Sequence, residues 1–190
     1  MSSNSNITDR LPLVPGALSG VAAWVLGYAF TYLLVAPDVR ESSLQRIIET
    51  FGGESATYEL VGWVFFNAHF VNTVFQNVPF VGSRTTSFVG GEQGFTVLLY
   101  VIPVGLLLAA GVALARYQGV TDPTNGALTG LTALPGYLLL SVAGVFLFEV
   151  TVGDVSGGPT LLPAVVLAGI VYPVLFAGGG GALIGMVADR

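Results

Sequence analysis

The chain has 190 residues, of which 53% are hydrophobic and only 9% are charged, whereas a typical soluble domain carries about 25% charged residues. This composition excludes a disordered chain, and it is unsuited to a soluble globular fold because too few charged groups are available to cover the surface. All six basic residues are Arg and they are scattered, which argues against a nucleic-acid partner. The absence of Cys excludes disulfides and thiolate metal sites.

Four long apolar runs predict membrane-spanning helices, because each exceeds the ~18 residues that a span needs. Two prolines bound the first run. Pro15 suits the first turn of a helix, and Pro37 is predicted to end the helix. We therefore predict an all-α membrane protein, with residues 1–190 forming a single integral membrane domain built on a four-helix transmembrane bundle. The predicted spans are about 15–36, 95–115, 129–150 and 161–187.

Residues 37–94, between the first two predicted spans, are predicted to form an elaborated extracytoplasmic loop. An amphipathic helix is expected first, because apolar residues recur there at helical spacing. An amphipathic helix directly after a span is predicted to lie on the membrane surface. The apolar stripe of this helix consists of Leu44, Ile47, Ile48 and Phe51.

The second part of this loop, residues 58–78, is ambiguous. Its first half is strongly apolar, but amide side chains and a His crowd its second half, and such a polar load is costly within a bilayer. We predict a helix over 58–75 that lies at the interface or dips partly into it without crossing, with a fifth span as the alternative. A short hairpin is also predicted, with 74–78 paired to 85–89 around the turn 79–84.

Within this segment, polar side chains form a candidate functional stripe. On a helix His69, Asn72 and Gln76 share one face, and Asn67 lies close to it. The stripe could be a ligand cradle or a pH-sensitive site around the one His of the chain. The structural alternative is an interfacial helix whose amides bond to the loop. A metal site is not expected, because one His without Cys falls short of a ligand set.

Glycines spaced four residues apart predict close helix packing, since they let two backbones approach each other in lipid. Packing within one bundle is the favoured interpretation, and a dimer interface is the alternative. The pairs are Gly16 and Gly20, Gly126 and Gly130, and Gly181 and Gly185.

Three of the predicted spans contain a proline with a nearby tyrosine: Pro103, Pro135 and Pro173, with Tyr100, Tyr137 and Tyr172. Broken helices line the substrate sites of many transporters. The span interiors lack the acidic ligands that such sites need, so structural kinks are favoured. No catalytic motif is found, so we predict that the protein is not an enzyme and has no cofactor.

The charges give a weak prediction of orientation. Three Arg lie on each side of the four predicted spans, whereas eight of the eleven acids lie on the side of the long loop. With Arg116 and Arg190 at helix ends, we predict a multi-pass protein of the cell membrane with both termini cytoplasmic.

The stretch Gly62 to Val71, GWVFFNAHFV, together with the Arg-only basic residues and the order of spans, resembles a family of small, uncharacterised haloarchaeal multi-pass membrane proteins. The resemblance implies an acidic, halophilic membrane protein and no particular activity. The favoured function is a non-enzymatic structural or accessory membrane protein, and a transporter or channel component for a small solute is the alternative. A membrane-embedded enzyme is a distant third. The expected partners are the lipid bilayer and either a second copy or another membrane protein.

Overall fold

The computed structural model describes residues 11–90 and 94–188. Within these residues, four helices are long and apolar enough to cross a membrane: Leu13–Glu41, Val97–Tyr117, Pro123–Leu147 and Leu161–Ala188. The four helices predicted from the apolar runs are therefore confirmed, with shifted boundaries. The first helix continues through Pro37, so the prediction that this proline ends it was wrong.

Only the first of the four is one regular α-helix. They comprise α1 (Leu13–Glu41), a 3₁₀ turn (Val97–Tyr100) followed by α4 (Val101–Tyr117), the pair α5 (Pro123–Leu131) and α6 (Leu134–Leu147), and α7 (Leu161–Ala188). Asp122 caps α5, where its carboxylate accepts the Asn125 backbone N–H at 2.9 Å, and this bond lowers the pKa of Asp122. In α7, wide π-helical turns cover Ala164–Val171 and Pro173–Ala177.

Two shorter helices lie between α1 and α4. Helix α2 (Ser43–Gly52) begins at Ser42, whose hydroxyl accepts the Gln45 N–H, and ends at Gly53 with φ 80°. The predicted amphipathic helix therefore exists, but it begins only at Ser43, because residues 38–41 belong to α1. Helix α3 (Thr57–Asn67) has only 11 residues and is therefore about 16 Å long.

The protein also contains a four-stranded antiparallel sheet, so the prediction of an all-α fold was wrong. The strands are β1 (Thr73–Val78), β2 (Gly82–Thr86), β3 (Val150–Val152) and β4 (Val155–Pro159), in the order β2-β1-β4-β3. The predicted hairpin exists as β1–β2, although its second strand begins three residues earlier. The pairing of β1 with β4 joins the long loop to the connection between α6 and α7.

Helix α3 is buried inside the bundle, against α1, and does not lie on its surface. Seven of its last eight residues are apolar or Gly, and all eight are buried. The chain turns after Asn67 and returns as β1 to the sheet, so α3 enters and leaves at the same end of the bundle. The helix predicted over 58–75 was therefore wrong in its length, because Phe70 adopts φ 59° and ends helical geometry there. Its depth relative to a membrane stays a prediction.

Candidate functional site

His69 lies in the turn after α3, at the centre of the bundle, and is completely buried. Its Nδ1 is 2.8 Å from the Phe65 carbonyl oxygen, and its Nε2 is 2.6 Å from the Tyr137 hydroxyl. Because a carbonyl oxygen only accepts, Nδ1 donates to Phe65. In the neutral imidazole that complete burial favours, Nε2 then accepts a hydrogen bond from the Tyr137 hydroxyl. Both ring nitrogens of a neutral imidazole are thus satisfied.

Aromatic rings enclose this imidazole on several sides. The ring centroids of Phe65 and Tyr172 each lie 4.8 Å from that of His69, and that of Tyr137 lies 5.9 Å away. Tyr137 is close to the middle of the Pro123–Leu147 helical pair. The centre of the bundle is therefore filled by side chains from α3, α6 and α7.

The turn that carries His69 has no regular secondary structure, yet several of its polar groups are paired. The Tyr172 hydroxyl donates to the Ala68 carbonyl at 3.0 Å, and the Asn67 amide donates to the Val71 carbonyl at 2.7 Å. The side-chain oxygen Oδ1 of Asn67 accepts the Phe88 backbone N–H at 2.7 Å. Since unpaired backbone groups are costly in apolar surroundings, these bonds allow a non-helical turn at this depth.

The four residues of the predicted polar stripe are only partly brought together. Asn67 and His69 are buried, whereas Asn72 is exposed in the turn and Gln76 is exposed on β1. The prediction that they share one helical face was wrong, because α3 ends at Asn67. A role of this stripe in ligand binding stays a prediction. Sequence reasoning noted the tyrosines beside Pro135 and Pro173, but it did not link them to His69.

The glycine pairs lie at contacts between helices of this chain. A Cβ on Gly16 or Gly20 would collide with Thr132 or Ala133 at the α5–α6 junction. On α5 and α7, the glycines lie where the two helix backbones approach each other closely. A Cβ on Gly126 would collide with Gly181, and a Cβ on Gly181 would collide with Gly126. A Cβ on Gly130 would collide with Ala177, and one on Gly185 would collide with Asp122.

A second candidate site is an apolar groove between α2 and the sheet, with a volume of about 930 Å³. All four residues of the α2 apolar stripe line it. The stripe therefore forms one wall of a groove whose other wall is the sheet. The position of α2 on the membrane surface stays a prediction. Trp63 of α3 also lines the groove and is buried.

Neither site has a set of metal ligands. Across 11–90 and 94–188, no group of three or more His, Cys, Asp or Glu side chains could hold a metal ion. His69 is instead surrounded by aromatic rings and the carbonyl of Phe65. The chemistry available at the first site is thus packing and hydrogen bonding, and at the second it is apolar contact.

Comparisons with known proteins give one match. No curated protein and no solved structure matches the chain. A family model described as a family of unknown function, DUF7978, matches residues 1–188, which is nearly the whole chain. The chain therefore belongs to this family of unknown function.

Proposed function

We propose that the protein is a multi-pass membrane protein with a structural or accessory role and no enzymatic activity. The supporting observation is that α3 enters the bundle and fills its centre, with His69 bonded on both ring nitrogens. A solute pathway would need polar groups free to bind the solute near the middle of the bundle. Here the central imidazole and its tyrosine partner already satisfy each other.

The proposed membrane location is supported by the four long apolar helices, whose exposed surfaces carry large apolar side chains. Leu33, Leu98, Leu139 and Leu162 are each more than 60% exposed. Such surfaces are unfavourable in water and suited to lipid. The proposed location is the cell membrane, with both termini on the cytoplasmic side.

Water access to the centre of the bundle tests the proposed role. Because the chain has no Cys, the labelling of a single introduced cysteine can be measured without a background signal. Ser141 is fully buried beside Tyr137, and its hydroxyl donates to the Tyr137 carbonyl at 2.9 Å. We expect S141C in proteoliposomes to resist a small charged thiol reagent, whereas S83C on the exposed strand β2 reacts fully.

A transporter or channel component is the second candidate, because π-helical turns of α7 flank Tyr172 beside His69. Such turns are often found at functional sites. Labelling of S141C at a rate near that of S83C, together with protein-dependent release of a small solute from the same proteoliposomes, would favour this candidate over the accessory role.

A further inference from the structure

We propose that the groove between α2 and the sheet binds the alkyl chain of an anionic lipid, with Arg84 contacting the lipid phosphate. Such a ligand requires the membrane location proposed above. The groove volume of about 930 Å³ lies within the ~300–1,000 Å³ typical of sites for small molecules.

The groove exposes large apolar side chains that an alkyl chain would cover. On α2, Ile47 is 54% exposed and Phe51 is 76% exposed, and both line the groove. Phe75 and Phe88 line the facing wall. Each Å² of apolar surface removed from water contributes about 25 cal/mol, so these walls favour an apolar ligand.

The floor of the groove is rigid before any ligand binds. The Trp63 indole donates to the Phe148 carbonyl at 2.6 Å, which holds the ring in place. Its ring meets Phe75 edge-on at 5.4 Å and stacks on Phe88 at 6.1 Å. A preformed site loses little conformational entropy on binding.

A smaller apolar cavity of about 70 Å³ adjoins the groove and shares Leu44, Trp63 and Phe88 with it. It extends to Val39 near the end of α1 and to Phe95 just before the helix that contains α4. The apolar lining thus continues to the end of α1 and to the start of the helix that contains α4.

The groove has one charged lining residue among the described residues, Arg84. It lies opposite Phe75 in the β1–β2 register, so both side chains occupy the same face of the sheet. Arg84 is exposed, which leaves its guanidinium available at the edge of the groove. A guanidinium binds phosphate oxygens in a bidentate manner. Apolar walls with one cation at the edge match an anionic amphiphile.

Native mass spectrometry of the full chain tests this assignment, with phosphatidylglycerol and phosphatidylcholine of identical chains as probes. We expect wild type to retain phosphatidylglycerol preferentially, and R84Q to retain at least fivefold less of it. The matched control is R46Q, which removes the same charge from an exposed position of α2 outside the groove, and we expect it to behave as wild type. F51S should lower retention of both lipids, because the apolar wall is lost.

Equal losses in R84Q and R46Q would overturn the assignment, since they would indicate general charge attraction. A concentration-dependent dimer that F51S abolishes, with lipid retention unchanged, would assign the groove to a second copy instead. Carbonate extraction of native membranes separates this inference from the proposed function. A chain that stays in the membrane pellet but retains no lipid overturns only the groove assignment, whereas a chain released into the supernatant overturns the membrane location as well.

Discussion

At the scale of single residues, the His69 and Tyr137 pair shows how one polar side chain is accommodated in an apolar bundle. Complete burial among apolar and aromatic side chains favours the neutral imidazole. In that form Nδ1 donates to the Phe65 carbonyl and Nε2 accepts from the Tyr137 hydroxyl. The pattern of the sequence indicated that His69 was unusual, but it also permitted an exposed interfacial position. The buried position depends on Tyr137, 68 residues away, which no local pattern reveals.

Removal of the Tyr137 hydroxyl tests this pair. In Y137F, Nε2 of His69 is left buried without a donor, and such a loss costs about 1–3 kcal/mol. We expect a lower melting temperature in detergent, measured by intrinsic fluorescence. The control is Y117F, because Tyr117 is 76% exposed. An unchanged melting temperature for Y137F would show that the hydrogen bond does not stabilise the fold.

At the scale of the elements, α5 and α7 pack with their backbones in direct contact. Gly126 and Gly181 are each placed so that a Cβ on one would collide with the carbonyl oxygen of the other. Dispersion between such closely placed backbones stabilises helix pairs in lipid. The glycine spacing predicted close packing, and the structure identifies the partner of each pair.

Two alanine substitutions on α7 distinguish the effect of this backbone contact from the effect of replacing any glycine by alanine. G181A places a methyl group against the Gly126 carbonyl oxygen, and overpacking of this kind costs about 1–3 kcal/mol. In contrast, a Cβ on Gly179 meets nothing within 4 Å, and alanine there improves helix propensity. We expect G181A to lower the melting temperature and G179A to leave it equal or higher. Equal effects of both would contradict the close contact.

At the scale of the whole molecule, α3 and β1 form a segment that enters and leaves the bundle at one end. Glu54 precedes α3 and Thr85 lies on β2, and both are exposed. Gln118, exposed in the connection after α4, lies at the opposite end. With the predicted orientation, the end that bears the sheet faces outward.

Cysteine labelling in intact cells tests this arrangement. We expect an impermeant maleimide to label E54C and T85C, and to label Q118C only after the membrane is opened. Labelling of E54C and T85C from opposite sides would instead support the five-span alternative. Labelling of Q118C alone would reverse the predicted orientation while keeping the fold.

The charge of the sheet-bearing end makes salt dependence a second test at this scale. Seven carboxylates lie there among the described residues, against Arg40, Arg46 and Arg84. They are Asp38, Glu41, Glu49, Glu54, Glu59, Glu149 and Asp154. The Debye length, the distance over which salt screens a charge, is about 3 Å at 1 M salt and about 10 Å at 0.1 M. The mutual repulsion of these carboxylates is therefore stronger at 0.1 M.

We therefore expect the melting temperature in detergent to fall as salt is lowered from 1 M to 0.1 M. The variant E41Q/E54Q removes two exposed charges of this end, so its melting temperature should depend less on salt. A wild-type melting temperature that is flat over this range would contradict the prediction of a halophilic protein.

The sequence by itself determined the four long helices, the amphipathic α2 and the β1–β2 hairpin, because apolar length, helical spacing and a nearby turn are local properties. The tertiary structure alone decided the depth of α3, since an apolar helix of 11 residues has the same hydropathy at an interface as inside a bundle. It also decided the pairing of β1 with β4, which joins Phe75 to Gly157. That pairing depends on residues about 80 positions apart and on α6 and α7 bringing their connection beside the long loop, so no periodicity along the chain encodes it.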